Sequence, residues 1–292
     1  MENEIRQSII KTVLYSDIFD YPLTSEQVWK FLLSQKKIKR RDFKKVLDTI
    51  KMPIIEKNGW YFLRGREKIL QKRTERKKES DRKLEIAKAV SKVLSAVPSV
   101  LLIAISGGVS VDNADKNDDI DFFIVTKANS LWQSRLMLIL LLKIMGKHRS
   151  RKGRKVADKI CLNMLMDEKN LSFSKDRQDL YTAHEILQLR PIFSRDKTYE
   201  KLISKNLWVK KYMPNAIEEI NIKGARIKNR KQPVIIKYLL LATEFLVKEI
   251  QLWYIKRHIG QETVTKGMLA FHPVDHKKEI MKSFEQKLKR YG

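Results

Sequence analysis

Asp119 and Asp121 are two carboxylates set two residues apart in Asp119-Ile-Asp121-Phe-Phe-Ile-Val-Thr126. The β-branched and aromatic run that follows them predicts a strand. Residues i and i+2 of a strand share a face and stand about 7 Å apart along the chain. Two hard oxygen ligands at that spacing suit Mg²⁺ or Mn²⁺. Just upstream, Val100-Leu-Leu-Ile-Ala-Ile-Ser106 predicts a second strand, and it runs into Gly107-Gly108, a turn whose backbone N–H groups can approach phosphates. A lone Asp-x-Asp is usually a solvated strand end. Here the order of strand, glycine turn, acidic pair and strand predicts a metal–nucleotide site, with Asp119 and Asp121 as catalytic metal ligands and Ser106, Gly107 and Gly108 against the nucleotide.

That order resembles the nucleotidyltransferases of the DNA polymerase β-like superfamily, whose signature is a Gly-Ser turn followed by Asp-x-Asp. Residues 14–24 (LYSDIFDYPLT), 179–185 (DLYTAHE) and 271–275 (FHPVD) are similar to a prokaryotic group that carries this domain behind a winged helix. The likeness runs over most of the chain, although its chemistry-bearing part covers only about residues 98–170. It implies an NTP substrate, with ATP expected, and an acceptor that the residues do not identify. Residue by residue the pattern departs in four places. Gly108 stands at the usual serine and keeps the backbone donors without the hydroxyl. Asp112 puts a negative charge near the expected phosphates. Asp118, at another usual serine, is carried over as nucleotide-binding. The strand expected over 159–166 offers Asn163 where members often place a third carboxylate. Asn163 is therefore the candidate third catalytic residue, able to ligate or orient but not to act as a base. Alternation over that strand puts Ile160, Leu162, Met164 and Met166 on one face, opposite Lys159, Cys161 and Asn163.

These residues need elements to hold them. Ile5, Ile9, Ile10, Val13 and Leu14 predict a first helix. Thr24-Ser-Glu-Gln27 reads as a capping box opening a second helix through Leu33, and Phe43, Val46, Leu47 and Ile50 mark a third over 40–50. Asn58-Gly59 between β-rich flanks predicts a hairpin. Three helices and a hairpin make a winged helix-turn-helix over 1–65, with Arg40, Arg41, Lys44 and Lys45 of the third helix as candidate nucleic-acid contacts. A charged connecting helix follows over 66–97. The nucleotidyltransferase-type αβ sheet domain is expected over 98–213 and a C-terminal helical region over 214–292, the chain reading as mostly helical from Asp176 onward. The fold class is mixed α+β. Leu131–Met145 reads as a buried helix with Arg135 near its start facing the phosphates, and the basic loop 147–155 as a further contact to a triphosphate or an acceptor.

The chain has 292 residues, 43% of them hydrophobic, which suffices for two cores. A net charge of +27 predicts attraction to nucleic acid or another polyanion, with solvated lysine-rich faces as the ordinary alternative. One cysteine excludes an internal disulfide and, with a start (Met-Glu-Asn-Glu) unlike a signal peptide, leads to a cytoplasmic expectation. The greasiest run, 136–142, is far short of the ~20 residues of a membrane span. The five histidines lack zinc-site spacing. His184 and Glu185 line a nucleotide pocket by the resemblance, and simply pack a helix on the sheet by the ordinary reading. His272 reads as part of a helix entry. A second function class stays open: a degenerate transferase fold acting as a basic nucleic-acid-binding or regulatory module.

Overall fold

The computed structural model describes residues 1–150, 156–217, 243–253, 257, 263–265, 267–270 and 274–291. Helix α1 (Glu2–Asp17) buries all five apolar residues expected to define it. Helix α2 (Ser25–Lys30) opens on a capping box, Gln27 N–H donating to Thr24 Oγ1 (3.2 Å) and Thr24 N–H to Gln27 Oε1 (3.0 Å). It ends before Leu33 because Phe31 leaves the helical region at ψ 23°. Helix α3 (Arg40–Asp48) buries Phe43, Val46 and Leu47 and leaves Arg40, Arg41, Lys44 and Lys45 exposed. Strands β2 (Ile54–Lys57) and β3 (Trp60–Leu63) are joined by Asn58 (φ 55°) and Gly59 (φ 81°), the left-handed pair that a two-residue hairpin demands. β1 (Leu23–Thr24) pairs with the other edge of β3.

The second sheet has the order β7-β4-β5-β6-β9-β8, from β4 (Val100–Ser106), β5 (Ile120–Thr126), β6 (Ile160–Asp167), β7 (Arg190–Ser194), β8 (Thr263–Thr265) and β9 (Met268–Ala270). The β5–β6 pair is parallel and the other pairs are antiparallel. A single turn, α5 (Gly107–Ser110), follows β4, and one face is covered by α4 (Ile69–Leu94) and α6 (Leu131–Ile144), which set Ala87, Val90, Trp132 and Leu138 against Ile103, Phe122 and Ile124. The other is covered by α7 (Leu180–Leu187) and α8 (Thr198–Lys205), whose Ile186 and Leu202 meet Leu102, Phe123 and Val125. Helical residues 243–253 form α9 beside α6, and α10 (Val274–Tyr291) ends the described chain. The architecture is mixed α+β with two sheets. Among the described residues no helix is long and apolar enough to cross a membrane.

Several expectations change. Among the described residues the chain is mostly helical after Asp176, as expected, but β7, β8 and β9 also lie there. β7 contains Pro191, which an edge strand tolerates because its N–H need not join a ladder. The region expected as one helical unit over 214–292 divides. β9 pairs with β6, while α10 sends Ile280 and Phe284 into the core of the N-terminal unit. α6 is not fully buried: Leu136, Met137, Leu140 and Ile144 are exposed. Residues 218–242 and the segment around His272 lie outside the described residues.

Helix α4 buries Arg73, Ser80 and Lys83 along the same stripe as Leu84, Ala87, Val90 and Leu94. These polar residues grip the segment that leads into β5. Arg73 lies over the Tyr21 ring and donates to the Asp112 carbonyl. Ser80 Oγ accepts the Ala114 N–H (2.9 Å). The fully buried Lys83 ammonium donates to the carbonyls of Lys116 (3.0 Å) and Asp118 (2.7 Å) and to Asp158 Oδ1 (2.9 Å). Arg82 clasps the same carboxylate with two 2.8 Å bonds, so Asp158 is held well below the usual carboxylate range. Lys83→Met strands these acceptors, and urea unfolding should show a loss of about 2–3 kcal/mol. Lys88→Met, on the exposed face, should stay within about 0.5 kcal/mol of wild type.

Candidate functional site

The antiparallel register sets Ser106 at the end of β4 opposite Asp121, and the parallel register sets Asp121 opposite Cys161. Asp121 alternates with Phe122 and so faces the α7 side of the sheet. Asp119 stands just before β5, and its carboxylate comes together with that of Asp121 and the Cys161 thiol: one atom from each lies within 4.8 Å of the others. Crowding and low polarity act on the pair. Burial, then the Asp119 charge, pushes Asp121 up to about 7. Burial also raises Asp119, against the pull of Arg149.

The glycine turn is built around the same carboxylate. Gly107 has φ +63°, and a Cβ there would sit 2.7 Å from Asp121 Oδ2, so both conformation and space require glycine. At Gly108 a Cβ would press on the Asn113 carbonyl (3.2 Å), because the Asn113 N–H bonds back to the Gly108 carbonyl (2.7 Å). The close return of 113–114 accounts for a bare residue at the position where the resembled family has serine. Asp112, expected near the phosphates, turns outward to Arg190 (3.3 Å) and Lys77 (3.8 Å) and lines neither cavity described below.

Three candidate residues sit elsewhere than expected. Arg135 lies on α6, across the sheet from Asp121, and donates to Gln251 of α9. The arginine that reaches the acidic pair is Arg149, from the basic loop whose residues 151–155 are outside the described ones. Two bonds along the start of β6, Ile160 N–H to the Lys147 carbonyl (2.7 Å) and Arg149 N–H to the Ile160 carbonyl (3.1 Å), deliver it. Its Nη1 stands 2.7 Å from Asp119 Oδ2, off the N–H direction, and 3.4 Å from Cys161 Sγ. Asp118 serves the turn rather than a cavity, its carboxylate accepting the Asp115 N–H (2.7 Å). Asn163 reaches across β5 to the end of β4. It donates to Ser106 Oγ (3.1 Å), because the β5–β6 register slips between Phe122 and Phe123 and makes Asn163 the extra residue. The slip also reverses the expected alternation: Ile160, Leu162 and Leu165 pack on the α6 side, Met164 and Met166 on the α7 side.

Two cavities open beside the acidic pair. One, of about 320 Å³, lies between α1, α7 and the glycine turn, with Gly107, Gly108 and Asp121 in its wall. The other, of about 260 Å³, is lined by Ser106, Asn163, Arg177 and Lys277. Tyr181 and Glu185 of α7 line both, and burial pushes Glu185 up to about 7. Glu185 is the third acidic group of the site, and it comes from a helix rather than a strand. The pattern in residues 179–185 was the available signal for it.

A hard divalent cation fits the two aspartates, whose mutual repulsion it would relieve. Cys161 fits less well, being a soft ligand whose thiol is held protonated by burial and by Asp121. The chain matches no protein-family model, no curated protein and no solved structure.

The folded protein keeps the Asp121 proton up to about pH 7, whereas the unfolded chain releases it near the ordinary 3.8. Stability without metal is therefore complete below that lower value and falls as pH rises through the upper one. Asp121→Asn removes the penalty. In EDTA its Tm should exceed that of wild type at about pH 8 and converge with it near pH 4, as thermal melts across this range will show.

Proposed function

We propose that the chain is a nucleotidyltransferase that moves a nucleoside monophosphate from an NTP, with ATP as the expected donor, to the hydroxyl of an acceptor still to be identified. The observation that carries this reading is the convergence of Asp119 and Asp121 beside a glycine turn moulded on the Asp121 carboxylate. Asp119 and Asp121 would hold Mg²⁺ or Mn²⁺. The ion, when bound, supplies the positive charge that offsets the attacking and leaving oxygens in phosphoryl transfer.

The remaining work falls to the chain itself. Gly107 and Gly108 let the backbone approach the triphosphate without side chains in the way. Arg149 balances Asp119 before substrate arrives and stands ready to turn to the phosphates as that carboxylate takes up a cation. Asn163 fixes the Ser106 hydroxyl at the rim of the smaller cavity, where Arg177, with Lys277 held by Asp179 beside it, offers positive charge to an acceptor or to departing pyrophosphate. Catalysis then consists of positioning and charge neutralisation. In this reading the unit over residues 1–65 is a winged helix completed by α10, and the six-stranded sheet is the transferase domain.

One observation favours a second reading, a degenerate transferase fold acting as a basic nucleic-acid-binding or regulatory module. The acidic pair holds a guanidinium, and an amide, Asn163, stands where a third carboxylate is expected. Arg40, Arg41, Lys44 and Lys45 would then carry the function, although Arg40 is engaged by Glu26 and by the Trp29 ring.

Calorimetry with Mg-ATP and the other NTPs separates the two. Metal-dependent micromolar binding that disappears in Asp119→Ala/Asp121→Ala supports the transferase. No NTP binding, with duplex DNA binding whose salt dependence flattens when the four α3 cations are replaced, supports the module.

A further inference from the structure

The larger cavity joins two parts of the chain that the sequence keeps apart. One wall is the glycine turn and Asp121. The opposite wall belongs to the N-terminal unit, with Tyr15, Ser16 and Phe19 at the end of α1 and beyond it, and Phe31 after α2. α7 closes a third side with His184, Glu185 and Gln188. The walls are tied together, the Tyr21 hydroxyl donating to the Val111 carbonyl (2.7 Å) and Asn113 Nδ2 to the Phe19 carbonyl (3.1 Å). The N-terminal unit is thus fastened to the very loop that carries the site.

The chemistry of this lining is specific. Among the described residues it contains no lysine or arginine, so the wall away from the turn holds no ammonium or guanidinium for a phosphate. It contains instead a stacked aromatic pair, Tyr15 on His184, with ring centroids 4.1 Å apart and planes 7° from parallel. His184 is buried, yet its Nε2 has no hydrogen-bond partner among the described residues. Gln188 Nε2 lies 3.4 Å from His184 Nδ1; with that amide nitrogen as donor, the ring proton falls on Nε2. Burial pushes the imidazole down to about 3, so it is a neutral, single donor at any ordinary pH. A buried donor without an acceptor is costly and asks for one from outside the protein.

We propose that the N-terminal unit is part of the nucleotide site: the cavity between α1 and α7 receives the nucleobase, with His184 Nε2–H donating to a ring acceptor and the aromatic wall packing on its plane. This rests on the nucleotidyltransferase reading, because the Gly107–Gly108 turn and Asp121 at the other end of the same cavity place the phosphates. A flat, neutral heteroaromatic ring with acceptor atoms matches an aromatic wall that, among its described residues, has no lysine or arginine and carries the unpartnered His184 Nε2. The unit then selects the nucleotide rather than serving only as a DNA-docking appendage.

The test is calorimetry on the full chain with Mg²⁺ and each of ATP, GTP, CTP and UTP, with inorganic tripolyphosphate as the probe that lacks a base. His184→Phe keeps the stack on Tyr15 and removes the donor. It should weaken the preferred NTP about tenfold and narrow the spread among the four, leaving tripolyphosphate unchanged. Gln188→Leu frees the tautomer while keeping the ring. It should move the same way by a smaller factor, which preserves the test if His184→Phe does not fold. If wild type binds NTPs through Asp119 and Asp121 but neither variant alters the preference among bases, the inference fails and the transferase reading stands. It fails equally if wild type binds all four NTPs no better than tripolyphosphate, or if the variants lose tripolyphosphate too. If wild type binds no NTP and no tripolyphosphate, the transferase reading falls and takes the inference with it.

Discussion

The ammonium of Lys83 is the fixed point of this molecule. It is fully buried, and it spends its donors on two carbonyls of the loop before Asp119 and on the Asp158 carboxylate just before β6. A buried charge is tolerated only when its surroundings satisfy it, so the loop and the strand entry are pinned where the ammonium needs them. β5 and β6 are the two strands that bring Asp121 and Cys161 together, and both are approached through this clamp. Ser80 and Arg73 repeat the arrangement about one and about three turns earlier on the same helix, so α4 acts as a template for the site loop rather than as a spacer between units.

What the clamp holds in place is an electrostatic conflict. Asp119 and Asp121 crowd each other in a partly dry site, and the protein relieves the strain through the Arg149 guanidinium and the retained proton on Asp121. Sites that must take up a cation commonly hold charges whose mutual cost the ligand removes. Glu185, shared by both cavities and itself raised by burial, extends the acidic surface toward α7.

The periodic elements were legible from the sequence, and the reasons are physical. α1, α3 and the Asn58–Gly59 hairpin announce themselves by spacing and turn chemistry, and the Thr24 capping box is present bond for bond. The two aspartates of the site and the glycine turn stood out because a strand fixes which neighbours share a face. Other features lacked a local signal. Arg73 and Lys83 sit on an apolar stripe, but single charged residues in a lysine-rich helix read as solvated. The slip at Asn163 is set by pairing across strands and reverses every later residue of β6, which no alternation rule anticipates. Which residue of the basic loop reaches the acidic pair is decided by tertiary contact alone, and β7 and the β8–β9 hairpin are short strands that exist only by pairing to the sheet.

The seating of α10 on α1 has a bearing on how the chain acquires its structure. Ile280 and Phe284 fill the same core as Ile9, Val13 and Leu14, and Lys287 neutralises the buried Asp17 carboxylate at 2.5 Å. This module therefore waits for residues made more than two hundred positions later. During synthesis α1 presents an unfinished apolar side, and Asp17 has Arg66 but not yet Lys287, while the central sheet is being made. That side stays open to water or to a chaperone until α10 arrives to close it.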